Sequence, residues 1–205
     1  MNLKILSLVI IGVCILLPDV CYAFLEKDVH LLNMQNGLAD NTVSAVYKDK
    51  EGFVWFGTRN GLSRYDGRQI TNFEQSNSYP SISNLKEVFD GVLAFVDNGV
   101  FSAFDLKKER FLSVVSSSGQ GIPSRGMLQK NDSLVWVISG SELHLMKRCA
   151  SKEGELRLRV QEKYTGWNNQ DNLLVAITYS SDKKSICLID EKGRIILLDA
   201  TNLNS

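Results

Sequence analysis

Histidine, proline and any excess of charge are what this sequence has least of. Two histidines and three prolines occur in 205 residues. His30 and His144 stand apart, and neither HExxH nor a clustered His/Cys spacing occurs, so no metal and no cofactor is expected. Basic and acidic residues balance at 23 each, which removes the overall basic footprint of a nucleic-acid or polybasic membrane binder. There is no GxSxG, no Ser-His-Asp arrangement and no phosphate-cradling glycine loop, since GTRNG (57–61) lies between two strand-like runs with no helix after it. The expectation is therefore a protein without a catalytic site. After Ala23 no apolar run is long enough to span a membrane, and no stretch requires a helix.

The first 23 residues are of a different material. Lys4 supplies a positive start, Ile5 to Leu17 is an almost continuous apolar run, and Cys21-Tyr22-Ala23 offers small residues at −3 and −1 of a cleavage point. The pattern predicts a secretory signal peptide over 1–23. A membrane anchor is the competing reading, but the run is short for a span and Pro18-Asp19 closes it. The expected location of residues 24–205 is the periplasm. Cys14 and Cys21 leave with the leader, so Cys149 and Cys187 remain. An oxidising compartment would allow them to pair, whereas Cys187, inside the apolar run SICLID, also reads as a separate core thiol.

What the chain has in quantity is short apolar runs cut by turn residues. Residues 41–73 hold SAVYKD, FVWFGT, LSRYD and ITNF, separated by Lys50-Glu51-Gly52, Arg59-Asn60-Gly61 and Gly67-Arg68. Runs of five or six residues rich in β-branched and aromatic side chains, bounded by Gly, Asn and Asp, read as strands joined by tight hairpins. Such a meander cannot cover both of its faces alone. It recurs. Residues 84–115, 125–164 and 173–205 give three further units, with Asn60-Gly61 and Asn98-Gly99 38 positions apart and Val54-Trp55 echoed by Val135-Trp136. A period of about 40 residues with four strands each predicts an all-β protein, a β-propeller of four-stranded antiparallel blades. An antiparallel sandwich is the alternative. About four blades, the last with three strands, suggest an incomplete arc, although VHLLN (29–33) is placed to complete a four-bladed ring as an outer strand.

Gly37-Leu38, Asn41-Thr42-Val43, Asp49, Gly52-Phe53, Trp55-Phe56-Gly57-Thr58, Gly61-Leu62, Arg64-Tyr65-Asp66-Gly67 and Phe73 carry a resemblance. The stretch resembles the repeat of the two-component regulator propeller family. With the leader before it, it looks like the start of a hybrid two-component sensor of glycan-degrading anaerobic bacteria. The resemblance implies the N-terminal part of a periplasmic ligand-sensing propeller, with an oligosaccharide as ligand. Its partners would be the remainder of the sensor or a second copy, and the family's histidine kinase region is absent from these residues. A stand-alone exported scaffold for protein–protein contacts is the alternative.

Strand order locates the candidate ligand residues. The start of the innermost strand and the turn between second and third strands share one rim of a blade. That rim gathers Asn41, Arg59 and Asn60 in the first unit and Asn84 and Asn98 in the second. Amides and a guanidinium suit the hydroxyls and carboxylates of a sugar. The competing reading is a solvated loop face. Trp167, in the polar stretch TGWNNQDN, is the candidate for stacking on a sugar ring. Asp49, Asp66, Asp90, Asp105 and Asp132 are expected to cap hairpins. Trp55 and Trp136 are expected in the inter-blade core.

Overall fold

The computed structural model describes residues 30–74, 81–165 and 172–200. The expected leader and Trp167 lie outside them. The chain forms two units, Met1–Asn33 and Met34–Ser205. Of the first, residues 30–33 are described and form no strand, so the pairing considered for VHLLN does not extend to them.

The second unit is built almost wholly of strands. A 3-10 turn, Met34–Asn36, precedes β1 (Val43–Lys48), β2 (Val54–Thr58), β3 (Gly61–Tyr65) and β4 (Ile70–Phe73), which form sheet I in sequence order. Sheet II is β5 (Ile82–Phe89), β6 (Val92–Asp97), β7 (Val100–Asp105) and β8 (Arg110–Ser116). Sheet III is β9 (Gly126–Asn131), β10 (Leu134–Ser139), β11 (Glu142–Cys149) and β12 (Glu155–Tyr164). Sheet IV has β13 (Leu174–Tyr179), β14 (Ser185–Asp190) and β15 (Ile195–Asp199). Neighbours within each sheet pair antiparallel through tight turns. At Asn98-Gly99 both residues take positive φ, 47° and 81°, the type I′ geometry that matches the twist of a two-residue hairpin.

The first strands of the sheets, β1, β5, β9 and β13, pack side by side in that order, and each sheet lays one face on the next. Strand alternation sends successive side chains to opposite neighbours. On β6, Leu93 and Phe95 face sheet I, whereas Val92, Ala94 and Val96 face sheet III. On β10, Val135 and Val137 face sheet II, while Trp136 and Ile138 face sheet IV. Three apolar layers therefore separate four sheets, and a central strand such as β6 is apolar on both sides because both sides are covered. Trp55 stacks on Phe73 and meets Phe104 of sheet II across the first layer. Arg64 extends over the rings of Phe53, Trp55 and Phe73 and reaches Glu109 of sheet II at 2.5 Å.

Two features depart from a plain run of separate blades. The outer strands β8 and β12 pair in parallel, Glu155 with Ser113 through Leu158 with Ser116, so sheets II and III merge into one eight-stranded sheet. The residue 148–154 connection makes this possible, because Ser113 N donates to Gly154 O at 2.9 Å. The second is Cys187. Read as a core thiol, it is instead only half-buried, because Ile186 and Leu188 take the covered face of β14 and Cys187 takes the other. Cys149 and Cys187 are both free thiols.

Candidate ligand site

The rim holding the turns between second and third strands is called the upper rim here, and the opposite one the lower rim. On sheet I the upper rim is fastened by local hydrogen bonds. Asp40 Oδ1 accepts from Thr42 N at 2.6 Å, Arg59 N donates to Thr42 O at 3.3 Å, and Thr58 Oγ1 accepts from Asn60 N at 3.1 Å. Asn41 Oδ1 accepts from Met34 N at 2.8 Å, and Asn60 Nδ2 donates to Ala39 O at 3.4 Å. Asn41, Arg59 and Asn60 thus meet at one end of the sheet, all exposed.

Sheet II repeats the arrangement with a different task for its amides. Asn84 sits at φ 54° in an irregular part of β5, and its Nδ2 reaches across to Arg125 O of the next sheet at 3.1 Å. Asn98 Nδ2 donates to Asp97 Oδ1 at 3.0 Å, and burial pushes the Asp97 carboxyl up. Sheets I and II meet closely at this rim. Ser44 Oγ donates to Ile82 O, and a Cβ on Gly57 would lie 2.5 Å from Ile82 Cγ2. The structure therefore gathers the five described candidates on one rim of sheets I and II. Several of their amides already serve the loops, and the Arg59 guanidinium is the exposed cation among them.

Two cavities among the described residues lie at the opposite rim. A cavity of about 230 Å³ opens at the lower rim between sheets I and II, lined by Phe53, Trp55, Arg64, Leu106, Lys50 and Asp90 among others. A neighbouring one of about 370 Å³ is bordered by Tyr47, Lys50, Glu87, Asp90, Gln129 and Asp132. Inner strands β1, β5 and β9 and the turns after them supply the groups of this second cavity. Lys50 Nζ lies 3.2 Å from Glu87 Oε1 and 3.5 Å from Asp90, which also takes Lys107 at 3.4 Å. Gly91 N donates to the same Glu87 oxygen at 3.0 Å. Burial, then the Glu87 charge, raises the Tyr47 phenol above its ordinary value. Hydrogen bonds from Lys107, with the Lys50 charge beside them, lower Asp90. Sequence reasoning missed this constellation. Its signal was the recurrence of a charged residue in the first turn of successive units, at Lys50, Asp90 and Asp132.

Among the described residues, no group of three His, Cys, Asp or Glu side chains is placed to hold a metal ion, and no helix is long and apolar enough to cross a membrane. His144 Nε2 bonds Glu142 at 2.6 Å, which lowers that carboxyl.

Four-stranded antiparallel sheets with their first strands adjacent and their faces stacked define an arc of a β-propeller. Solved structures bear out the class. The extracellular domain of a system described as one-component, from B. thetaiotaomicron, matches with a TM-score of 0.62 and 14% identity over 84% of this chain and 27% of its own. The extracellular domain of a hybrid two-component system of the same organism gives 0.58 and 17% over 84% of this chain and 25% of its own. The β-propeller domain of Cps50 from Myceliophteria thermophila gives 0.53 and 15% over 80% of this chain and 54% of its own. The chain thus spans about a quarter of the length of the two signalling proteins' domains. Residues 37–60 match the family model described as two component regulator propeller. No curated protein matches the chain by sequence.

Proposed function

We propose that this chain is part of the extracytoplasmic, ligand-sensing propeller of a two-component signalling receptor, and that its ligand is an oligosaccharide. The observation that carries the reading is the family repeat at 37–60, set in a fold shared with extracellular domains of bacterial signalling systems. Residues 1–23 act as an export signal and leave the remainder in the periplasm. The chain binds and does not turn over its ligand; the kinase and membrane-spanning parts of such a receptor are its partners.

The ligand sits on the upper rim, against Asn41, Arg59, Asn60, Asn84 and Asn98, with Trp167 stacking on a sugar ring. Titration calorimetry across a panel of plant and host glycans tests this. Saturable heat with at least one glycan is expected, weakened at least tenfold by Arg59→Ala and little changed by Lys50→Ala on the lower rim. The glycan is recovered uncleaved. Absence of heat across the panel overturns the sugar reading, and a loss confined to Lys50→Ala moves the site to the lower cavities.

A second reading, an exported interaction scaffold, is favoured by one observation. Ile195 and Leu197 of β15 are 68% and 67% exposed, an unusual state for large aliphatic side chains on adjacent same-face positions. A binding partner captured without any glycan response would support it.

A further inference from the structure

Glu87 is a carboxylate in a costly place. Its side chain is only 8% exposed, and it pairs beside Leu93 on the face by which sheet II meets sheet I. Its two oxygens are unequally served. Oε1 takes Gly91 N at 3.0 Å and Lys50 Nζ at 3.2 Å, whereas Oε2 has the Tyr47 hydroxyl at 3.5 Å, the far limit of a hydrogen bond. A carboxylate offers about four acceptor positions, so Oε2 keeps capacity for a further donor. It lies on the side of Tyr47, which borders the second of the two lower cavities and not the first.

That second cavity, of about 370 Å³, has the size of a small-molecule pocket. Glu87, Asp90 and Asp132 border it, Lys50 is the cation among its lining residues, and Tyr47 and Gln129 add neutral oxygens. The chain itself shows what suits this wall, because the Lys50 ammonium is seated between Glu87 and Asp90. The first cavity shares Lys50, Glu87 and Asp90 and adds an apolar side of Phe53, Trp55 and Leu106. Both lie where sheets I, II and III of this chain face one another, so neither is a surface that a further sheet would cover.

We propose that the lower cavities bind a protonated primary amine carried on an apolar body. The ammonium sits in the second cavity against Glu87 Oε2, Asp132 and the Gln129 amide oxygen, and the apolar part lies in the first. An ammonium brings three N–H donors, which these acceptors match with charge assistance. A quaternary ammonium has no N–H to give, and the rings that would hold it, Phe53 and Trp55, already carry the Arg64 guanidinium. An anionic ligand would face the carboxylates. Lys50 then acts as an internal competitor for the incoming amine. The site is on the rim opposite the sugar-binding residues and does not rest on that reading.

Calorimetric titration of the full chain with 2-phenylethylamine tests this, with 2-phenylethanol as the uncharged control. Saturable heat is expected with the amine and none with the alcohol. Glu87→Gln and Asp132→Asn should each weaken the amine at least tenfold. Asp132 is exposed, so its variant keeps the fold, as an unchanged far-ultraviolet spectrum would show. Glu191→Gln, which removes an exposed negative charge from sheet IV, should leave binding unchanged. The distinguishing variant is Lys50→Ala. Removing the competing cation should strengthen the amine severalfold, whereas a site for an anion would be weakened. Four results overturn the proposal: no saturable heat with the amine, equal heat with the alcohol, indifference to Asp132→Asn, or weaker amine binding in Lys50→Ala.

Discussion

Trp55 donates its indole Nε1–H to Asp49 Oδ2 at 2.7 Å, and both residues are buried at the lower end of sheet I. The same carboxylate accepts from Phe53 N at 2.9 Å, so one side chain closes the β1–β2 turn and satisfies a core tryptophan. The counterpart in sheet III has lost this link. Asp132 is exposed, Asn131 caps the turn through Ser133 N at 3.0 Å, and Trp136 Nε1 is buried without a well-formed hydrogen bond.

That contrast predicts unequal costs. Asp49→Ala leaves a buried indole N–H and a turn amide without their acceptor, a loss of about 1–3 kcal/mol. Asp132→Ala touches neither and should stay within about 0.5 kcal/mol of the parent. Urea unfolding of the two variants checks the difference. Equal midpoints would show that the Asp49 link carries no stability.

Gly57 of the WFGT motif is a point of close approach between sheets I and II. A methyl there meets Ile82 Cγ2 at 2.5 Å and Ile82 O at 3.1 Å, and the backbone oxygen cannot swing away. Gly57→Ala is expected to cost about 1–3 kcal/mol through overpacking. In the Ile82→Ala background the 2.5 Å clash with Cγ2 is gone and only the contacts near 3.1 Å remain, so the double variant should be more stable than the two single costs add up to. Strict additivity in denaturant melts would contradict the close approach.

Asp190 provides the pH dependence. Burial opposes its ionisation, but hydrogen bonds from Arg194 N at 2.9 Å, Arg194 Nε at 2.7 Å and Lys192 N outweigh it and hold the carboxyl below its ordinary value. A carboxyl lowered in the folded state stabilises the fold above its unfolded pKa, and that contribution fades as pH falls through the folded value. Asp190→Asn should therefore be less stable than the parent at pH 7. The gap should shrink at acid pH, below roughly 4. Thermal melts at several pH values measure it, and a gap that widens on acidification would reverse the sign.

The strands were legible because their punctuation is local. Asp66 accepts from Arg68 N and Gln69 N, and Asp105 from Lys107 N and Lys108 N, the turn-capping role that their spacing implied. Asp90, spaced in the same way, instead pairs with Lys50 and Lys107, because Gly91 N is already taken by Glu87. Trp55 and Trp136 were readable as core from their apolar neighbours, whereas the hydrogen-bonding state of each indole depends on the turn before it, 49–53 in sheet I and the shorter 132–133 in sheet III. Cys187 misled because it stands within four consecutive apolar residues, 186–189, and sequence does not say which face of a strand is covered. The lower cavities were hidden for a related reason. Their walls combine residues from separate sheets, with Lys50, Asp90 and Asp132 coming from three different turns, and only the stacking of the sheets brings them together.

The parallel pairing of β8 with β12 sets where this arc can breathe. Sheets II and III share a continuous ladder of backbone hydrogen bonds, so they cannot swing open against each other without breaking it. Sheets I and II are held by packing and by isolated bonds such as Ser44 to Ile82, and sheets III and IV by packing and bonds such as Leu174 N to Gly140 O at 3.0 Å. The middle pair behaves as a keystone and the outer two sheets as leaves. Amide hydrogen exchange should accordingly fall in one slow step for β5 to β12, with sheets I and IV exchanging earlier and independently of each other.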